Sequence, residues 1–357
     1  MASNSNEMKV NATEEDVMFK PIPLEKREHW LSPAMVFAGL EFSIAVLMVG
    51  GSLIGNFGFK GMLPVVFFTF IFITWIGNSI GCYMGAKIGL SSSVIARQSF
   101  GDQQAKVVVA LVIGVLSMGW WGITTATSGN AVCAIFGIDY TTDRMTWAIV
   151  TTIVGIVFAL PSILGYNAMK WTDYLAVPGG LLLCFVGIYL AVKNYGWQAI
   201  LNAQGNNSMS FAEGVTMVLG LNVSQLVLSA DYSRQGKPKI LDNILMPLGI
   251  IVVGIPLIII GGIMATGSGT ADIVAVMSDL GFPIWGFVVL WLASWTSQIV
   301  NNYSMGLAFS NILNIKSDKG RIKVTVVATV LSIVITLLGI LEHFQDFLNL
   351  ASLCYPA

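Results

Sequence analysis

Gly39-Leu40-Glu41-Phe42-Ser43 stands inside the first apolar stretch of the chain, and Gly220-Leu221-Asn222-Val223-Ser224 stands inside another about 180 residues later. Each is a short, glycine-led polar interruption where a membrane helix would otherwise be uniformly apolar. Paired interruptions at corresponding points of two halves are the sequence pointer to the binding site of a transporter built from inverted repeats. Five residues can match by chance, so the remaining sequence has to carry the same organisation.

Composition sets the class. The chain is 55% apolar and 10% charged, with a mean hydropathy of +0.77, whereas a soluble domain carries about 25% charged residues. This is the make-up of an integral membrane protein. A net charge of −1, with no basic face, gives no reason to expect nucleic acid as a partner. Cys82, Cys133, Cys184 and Cys354 fall in apolar segments without metal-ligand spacing, so they read as small core residues.

Apolar runs of about 20 residues, enough to cross a hydrocarbon core, occur near 33–57, 62–86, 105–136, 145–166, 173–192, 210–230, 243–266, 282–312 and 322–342. A tenth begins at about 343 and stops at Ala357. Residues 1–32 are polar and charged, and are expected to form a mobile cytoplasmic tail. Of the 18 Lys and Arg, only Lys60, Arg144 and Lys193 lie in odd-to-even loops; the other fifteen lie in the tail and the even-to-odd loops. By the positive-inside rule the N-terminus is cytoplasmic, in a multi-pass plasma membrane that is expected to be a bacterial cytoplasmic membrane.

Within the spans each polar residue has weight. Glu41 is the sharpest, because a carboxylate in a membrane core costs roughly 3 kcal/mol and usually faces a cavity or a partner. Asn222 stands at the equivalent place, where an amide also serves to join helices. Span 3 carries Ser117-Met118-Gly119-Trp120-Trp121-Gly122. Adjacent indoles point in different directions on a helix, so one alone can present a flat face to a heterocycle. Span 8 reads Ala293-Ser294-Trp295-Thr296-Ser297-Gln298-Ile299-Val300-Asn301-Asn302. Hydroxyls at Thr296 and Ser297, with carbonyls from a broken neighbouring helix, are the hard oxygen donors an alkali cation requires.

These residues carry a resemblance. Gly39-Leu40 with Gly50-Gly51, Ala96-Arg97-Gln98-Ser99-Phe100-Gly101, Gly119-Trp120, Ala230-Asp231-Tyr232-Ser233-Arg234 and Gly306-Leu307-Ala308-Phe309-Ser310-Asn311-Ile312 follow in order. The chain resembles the nucleobase:cation symporter-1 family, close to its bacterial cytosine permease branch. The resemblance implies an all-α, five-plus-five inverted-repeat transporter (LeuT-like) with spans 1 and 6 broken. Residues 33–193 would form the first repeat and 194–357 the second, after the tail 1–32. It also implies twelve spans, so a chain that ends within span 10 is expected to be a fragment.

Site residues follow position by position. The resemblance places a coupling ion, Na+, on carbonyls of Gly39, Phe42 and Ala293 and hydroxyls of Thr296 and Ser297. It places the substrate on Ser43, Ser117, Trp120, Thr124, Gly220, Leu221, Asn222, Ser224 and Asn302. Relatives often supply a second ring from span 6. Here Asn222 occupies that position, so a second ring is either absent or expected from Phe42 or Tyr303. Glu41 supports a rival scheme in which H+ replaces Na+. The expected activity is cation-coupled import of a nucleobase or related small heterocycle, with no cofactor beyond that ion. The alternatives are a sodium-dependent transporter of another small solute such as an amino acid, and a channel. An enzyme is not expected, since no nucleophile–base or metal set is present.

Overall fold

The computed structural model describes residues 21–90, 92–164, 170–313, 315 and 317–353, and within helices the side chains of Leu40, Thr296, Tyr303 and some neighbours lie outside the description. Residues 1–20 of the tail, and Cys354 with the end of span 10, also lie outside it. Among the described residues the chain is helical throughout, with a single isolated bridge between Glu28 and Gly236.

Among the described residues, helices occupy each of the ten apolar runs, the tenth over Phe344–Ser352 alone. Span 1 is two helices, Leu31–Glu41 and the first part of Ile44–Phe68. Gly58, at φ +68°, turns the chain out of span 1 into span 2. A side chain there would strike the Ala203 carbonyl at 2.3 Å. The loop 203–207 holds that turn through Phe59 N–H to Ala203 O and Asn206 N–H to Gly55 O. Span 2 then passes through a π segment, Thr69–Thr74, into Trp75–Ile88. Four stretches, Ile44–Ile88, Leu111–Ile135, Ile240–Ala265 and Lys319–Leu337, are long and apolar enough to cross a membrane.

Packing sorts the spans into two sets. Span 7 lies along both halves of span 1, span 6 along the second half of span 1, and span 2 against the 228–245 region. Span 8 lies along span 3, and both meet spans 4 and 9. Trp121, Ala159, Met305 and Ala328, one from each of spans 3, 4, 8 and 9, form the core of that second set. Span 5 touches spans 7 and 8, and span 10 touches spans 6 and 3, so each bridges the two sets. This is the five-plus-five arrangement expected of the sequence.

The N-terminal segment departs from expectation where it is described. Arg27 is buried, its guanidinium donating to Ile22 O at 3.0 Å and to the Ala86 carbonyl. Glu28 N–H reaches Gln235 O at 2.7 Å, and Lys237 N–H returns to Glu28 O. The reason is a helix end. The last carbonyls of Trp75–Ile88 lack helical donors, and a cation there satisfies them and the helix dipole. Residues 22–28 are therefore a strap pinned through Arg27 and Glu28 to the end of span 2 and to residues 235–237, with residues 23–26 exposed.

Candidate functional site

The first interruption is a true break. Phe42 leaves helical geometry at φ −72°, ψ 77°, and Ser43 is extended at φ −133°, ψ 155°. The Ser43 N–H goes to Glu41 O at 2.7 Å, and the Val46 N–H bonds Ser43 O at 3.2 Å. A continuous helix would give the first to Gly39 O. Two flanking contacts hold the gap. The Phe42 ring lies on Gly180 of span 5, where an added Cβ would come within 2.3 Å of it. The Glu41 carboxylate, 1% exposed, accepts from Gln225 Nε2 at 2.7 Å. Its other oxygen has no hydrogen-bond partner and rests over Gly254 of span 7.

The second interruption is displaced from its expected place. Phe211–Val227 runs as one helix through Gly220–Ser224, opened by a capping box between Ser210 and Glu213. The chain leaves helical form at Leu228 (φ −93°, ψ 7°) and resumes at Ser229–Ser233. Asn222 does not break the helix because its amide donates to Val218 O, one turn back, at 3.2 Å. Such back-bonding lets a polar residue sit inside a helix. The Asn222 carbonyl oxygen is buried without a partner.

Gly220 has a different reason to be glycine. An added Cβ would lie 2.0 Å from the Leu348 carbonyl. The helix Phe344–Ser352 of span 10 packs against span 6 there, and against span 3 on its other side. Phe347 lies over Gly119, where a Cβ would meet its ring at 2.1 Å, and meets Trp120 edge-on at 5.1 Å and 88°. Phe344 meets the same indole at 6.3 Å and 70°. The two tryptophans thus diverge. Trp120 turns to span 10 and the central core, and Trp121 into the core of spans 3, 4, 8 and 9.

The other expected side chains that are described are buried or half-buried within their spans. Ser117 and Thr124 are buried on span 3, and the Thr124 hydroxyl donates to Trp120 O at 2.8 Å. Leu221 is buried, and Ser43 and Ser224 are half-buried. Ala293 packs against the central core, and Ser297, one turn on, is half-buried. The Thr296 and Tyr303 side chains lie outside the described residues. Asn302 is fully buried and accepts from Thr329 Oγ1 of span 9 at 2.8 Å. That bond draws its amide toward span 9. Three contacts were not expected: Gln225 with Glu41, Phe347 with Trp120, and Gln298, whose amide donates to Thr125 Oγ1 between spans 8 and 3. Gln298 stood in the polar run of span 8, but a sequence does not say which neighbour a buried amide reaches.

Beside Phe344 a cavity of about 790 Å³ opens at the end of the molecule opposite the strap. Met48 and Ser52 of span 1, Asn130, Tyr140 and Asp272 line it, with the Arg144–Glu342 ion pair (2.8 Å) at its edge. Asp272 Oδ2 accepts from Asn130 Nδ2 at 3.1 Å and Tyr140 OH at 2.9 Å. Burial pushes the Asp272 carboxyl above its ordinary value, against the pull of these bonds and that from Val274 N–H. Most of the side chains that line this cavity are polar, with Phe344 among the apolar ones, and among the described residues no His, Cys, Asp and Glu group forms a metal site.

Comparison with known proteins gives the same picture. The cytosine permease of Escherichia coli K12 is 26% identical over 340 residues, covering 94% of this chain and 77% of that protein. Among solved structures, the nucleobase-cation-symport-1 family transporter Mhp1, closed with bromovinylhydantoin bound, superposes with a TM-score of 0.73. It is 18% identical, over 93% of this chain and 76% of that one. Its inward-facing form gives 0.77 at the same identity, over 93% and 75%. A Na+-coupled sialic acid symporter in a substrate-bound outward-open state shares the fold at 0.57 and 14% identity, over 92% and 77%. The family model described as permease for cytosine/purines, uracil, thiamine, allantoin matches residues 21–355, and the chain belongs to that family.

Proposed function

We propose that this permease is a cation-coupled symporter that imports a nucleobase or a related small heterocycle by alternating access. The observation that carries the reading is Trp120. It is the one indole of the pair turned to span 10, edge-on to Phe347 and Phe344, and Phe344 in turn lines the cavity. A flat ring would replace Phe347 on the indole, exchanging an edge contact for a stacked one. Ser117, Thr124, Gly220, Leu221, Asn222, Ser224, Ser43 and Asn302 are the remaining substrate candidates. Of these, Asn222 brings a buried acceptor that nothing in the protein uses.

The coupling cation belongs at the span-1 break, on carbonyls of Gly39, Phe42 and Ala293 and hydroxyls of Thr296 and Ser297. Hard oxygens without competing helical donors suit sodium. Occupation would stiffen the break against span 8 and raise affinity for the ring, and by linkage the ring raises cation affinity equally. The second reading is proton coupling at Glu41, favoured by the carboxylate oxygen that lacks a partner. Residues 33–193 and 194–357 act as the two repeats, with the N-terminus cytoplasmic, consistent with the lysines and arginines of the even-to-odd loops.

Uptake of radiolabelled cytosine, uracil, hydantoins and hydroxymethylpyrimidine, with and without a sodium gradient, tests both readings. Base stacking is worth about 1–3 kcal/mol, so Trp120→Ala should weaken binding by roughly five- to 150-fold. Binding of every compound unchanged in Trp120→Ala would end the heterocycle reading. Uptake indifferent to sodium and abolished in Glu41→Gln would select protons.

A further inference from the structure

On the outer face of the helix set 1, 2, 6 and 7 lies a groove of about 560 Å³, remote from Trp120 and the span-1 break. Trp75, Ile76, Ile80 and Tyr83 of span 2 form one wall, and Ile240 and Ile244 of the short helix Ile240–Leu245 form the other. The two helices run antiparallel. Trp75 Nε1 donates to Ile244 O at 2.8 Å at the deep end, which fixes the groove's floor. Ile76, Ile80 and Ile240 are 53%, 59% and 70% exposed, so the walls face outward to the bilayer.

Three observations distinguish this groove from ordinary lipid-facing surface. Its shallow end is basic: Lys87 lies one turn beyond Tyr83 and over its ring at 5.1 Å, and Lys239 directly precedes Ile240. Both lysines are exposed, and both belong to the lysine- and arginine-rich side of the molecule. Asn243 lines the groove, is 2% exposed, and has neither its amide nitrogen nor its oxygen hydrogen-bonded. An orphaned buried amide costs about 1–3 kcal/mol, so a polar group from outside is expected there. Asp242, on the same helix, does not line the groove.

We propose that this groove binds one anionic phospholipid of the cytoplasmic leaflet. The phosphate sits between Lys87 and Lys239. The ester carbonyls lie over Asn243, one helical turn or about 5.4 Å deeper than Lys239, and a rotation of its side chain, whose amide atoms are covered in this structure, brings Nδ2 to one of them. An acyl chain runs past Ile80 and Ile76 to Trp75. Such a lipid joins span 2 to the start of span 7 and leaves the substrate and cation residues untouched.

The test uses the full chain in phosphatidylcholine vesicles that contain a minor fraction of tail-brominated lipid, either phosphatidylglycerol or phosphatidylcholine. The Trp75 signal is the difference between the natural protein and Trp75→Phe. The expected result is stronger quenching by the brominated phosphatidylglycerol, with the preference falling about fivefold for each of Lys87→Gln and Lys239→Gln. Asn243→Leu should weaken quenching by brominated phosphatidylglycerol. If Trp75→Phe does not fold, retention of phosphatidylglycerol over phosphatidylcholine in native mass spectra, lost in Lys87→Gln/Lys239→Gln, gives the same reading. Equal quenching or equal retention of the two lipids overturns the proposal. So does shielding of Trp75 from both lipids in a dimer, which would make a second copy the occupant.

Discussion

Gly39–Ser43 and Gly220–Ser224 share a glycine-leucine start and a serine end, yet the polypeptide uses them oppositely. In span 1 the segment opens the backbone. Ser43 N–H turns to Glu41 O, and the chain is extended for one residue. In span 6 the segment stays helical, and its glycine brings another helix close: the Leu348 carbonyl occupies the space a side chain would need. An added Cβ on Gly39 meets nothing within 4 Å. Two like sequences in like positions thus serve separate needs, exposed backbone polar groups in the first and close helix packing in the second. The halves are joined across this difference by the hydrogen bond from Gln225 to Glu41.

The largest effect should come from Gly220→Ala. The clash is with backbone, so span 10 must move away from span 6. Overpacking of this kind costs about 1–3 kcal/mol, and the upper end is expected at a 2.0 Å contact. Thermal unfolding in detergent should show it, together with loss of the Trp120–Phe347 edge contact as a change in tryptophan emission. Unaltered stability and emission would mean that the close approach of Leu348 is not what requires glycine.

Next comes the link between the two segments. Glu41→Leu leaves Gln225 Nε2 buried without its acceptor, at a cost of about 2 kcal/mol. Gln225→Leu strands the carboxylate in the same way. Combined, the two substitutions should cost less than their sum, because each removes the same bond. A double-mutant cycle on thermal stability measures that coupling. Additive losses would show that the two segments are held independently.

Much of this was legible beforehand, for reasons that particular residues make plain. The spans follow from hydropathy, since lipid forbids unpaired backbone polar groups and leaves helices as the solution. The divergence of Trp120 and Trp121 follows from the turn of a helix. The span-1 break was legible as a glycine-led polar interruption at the place where the resemblance puts a break, with a glutamate that usually faces a cavity or a partner. The span-6 break was misplaced because an amide, unlike a carboxylate, carries its own donor and can satisfy it on Val218 O. Phe347 was invisible, since nothing local says which rings two distant helices bring together. Arg27 was read as solvated because its acceptor, the end carbonyl of span 2, exists only once the helix has been placed against the strap.

Asn222→Leu is expected to act in the other direction and more weakly. The amide bonds only its own helix, and its oxygen is buried without a donor. Replacing such a group by an apolar one of similar size should be neutral or stabilise by about 1 kcal/mol. Any loss of uptake would then belong to the substrate. Stability measured beside uptake separates the two. Lost stability would instead give Asn222 a structural bond within the fold.

The smallest change is Gly39→Ala, and it bears hardest on the comparison. Alanine fits in open space and is the better helix former by up to about 1 kcal/mol. Stability should therefore hold or rise slightly. The carbonyl of residue 39 survives the substitution, so the sodium dependence of uptake should also survive. A glycine needed for exposed carbonyls is thus replaceable where a glycine needed for close packing is not. Should Gly39→Ala prove as damaging as Gly220→Ala, both glycines would answer to packing. Span 1 would then have to meet a neighbour in another state of the transport cycle at the place where it meets none here.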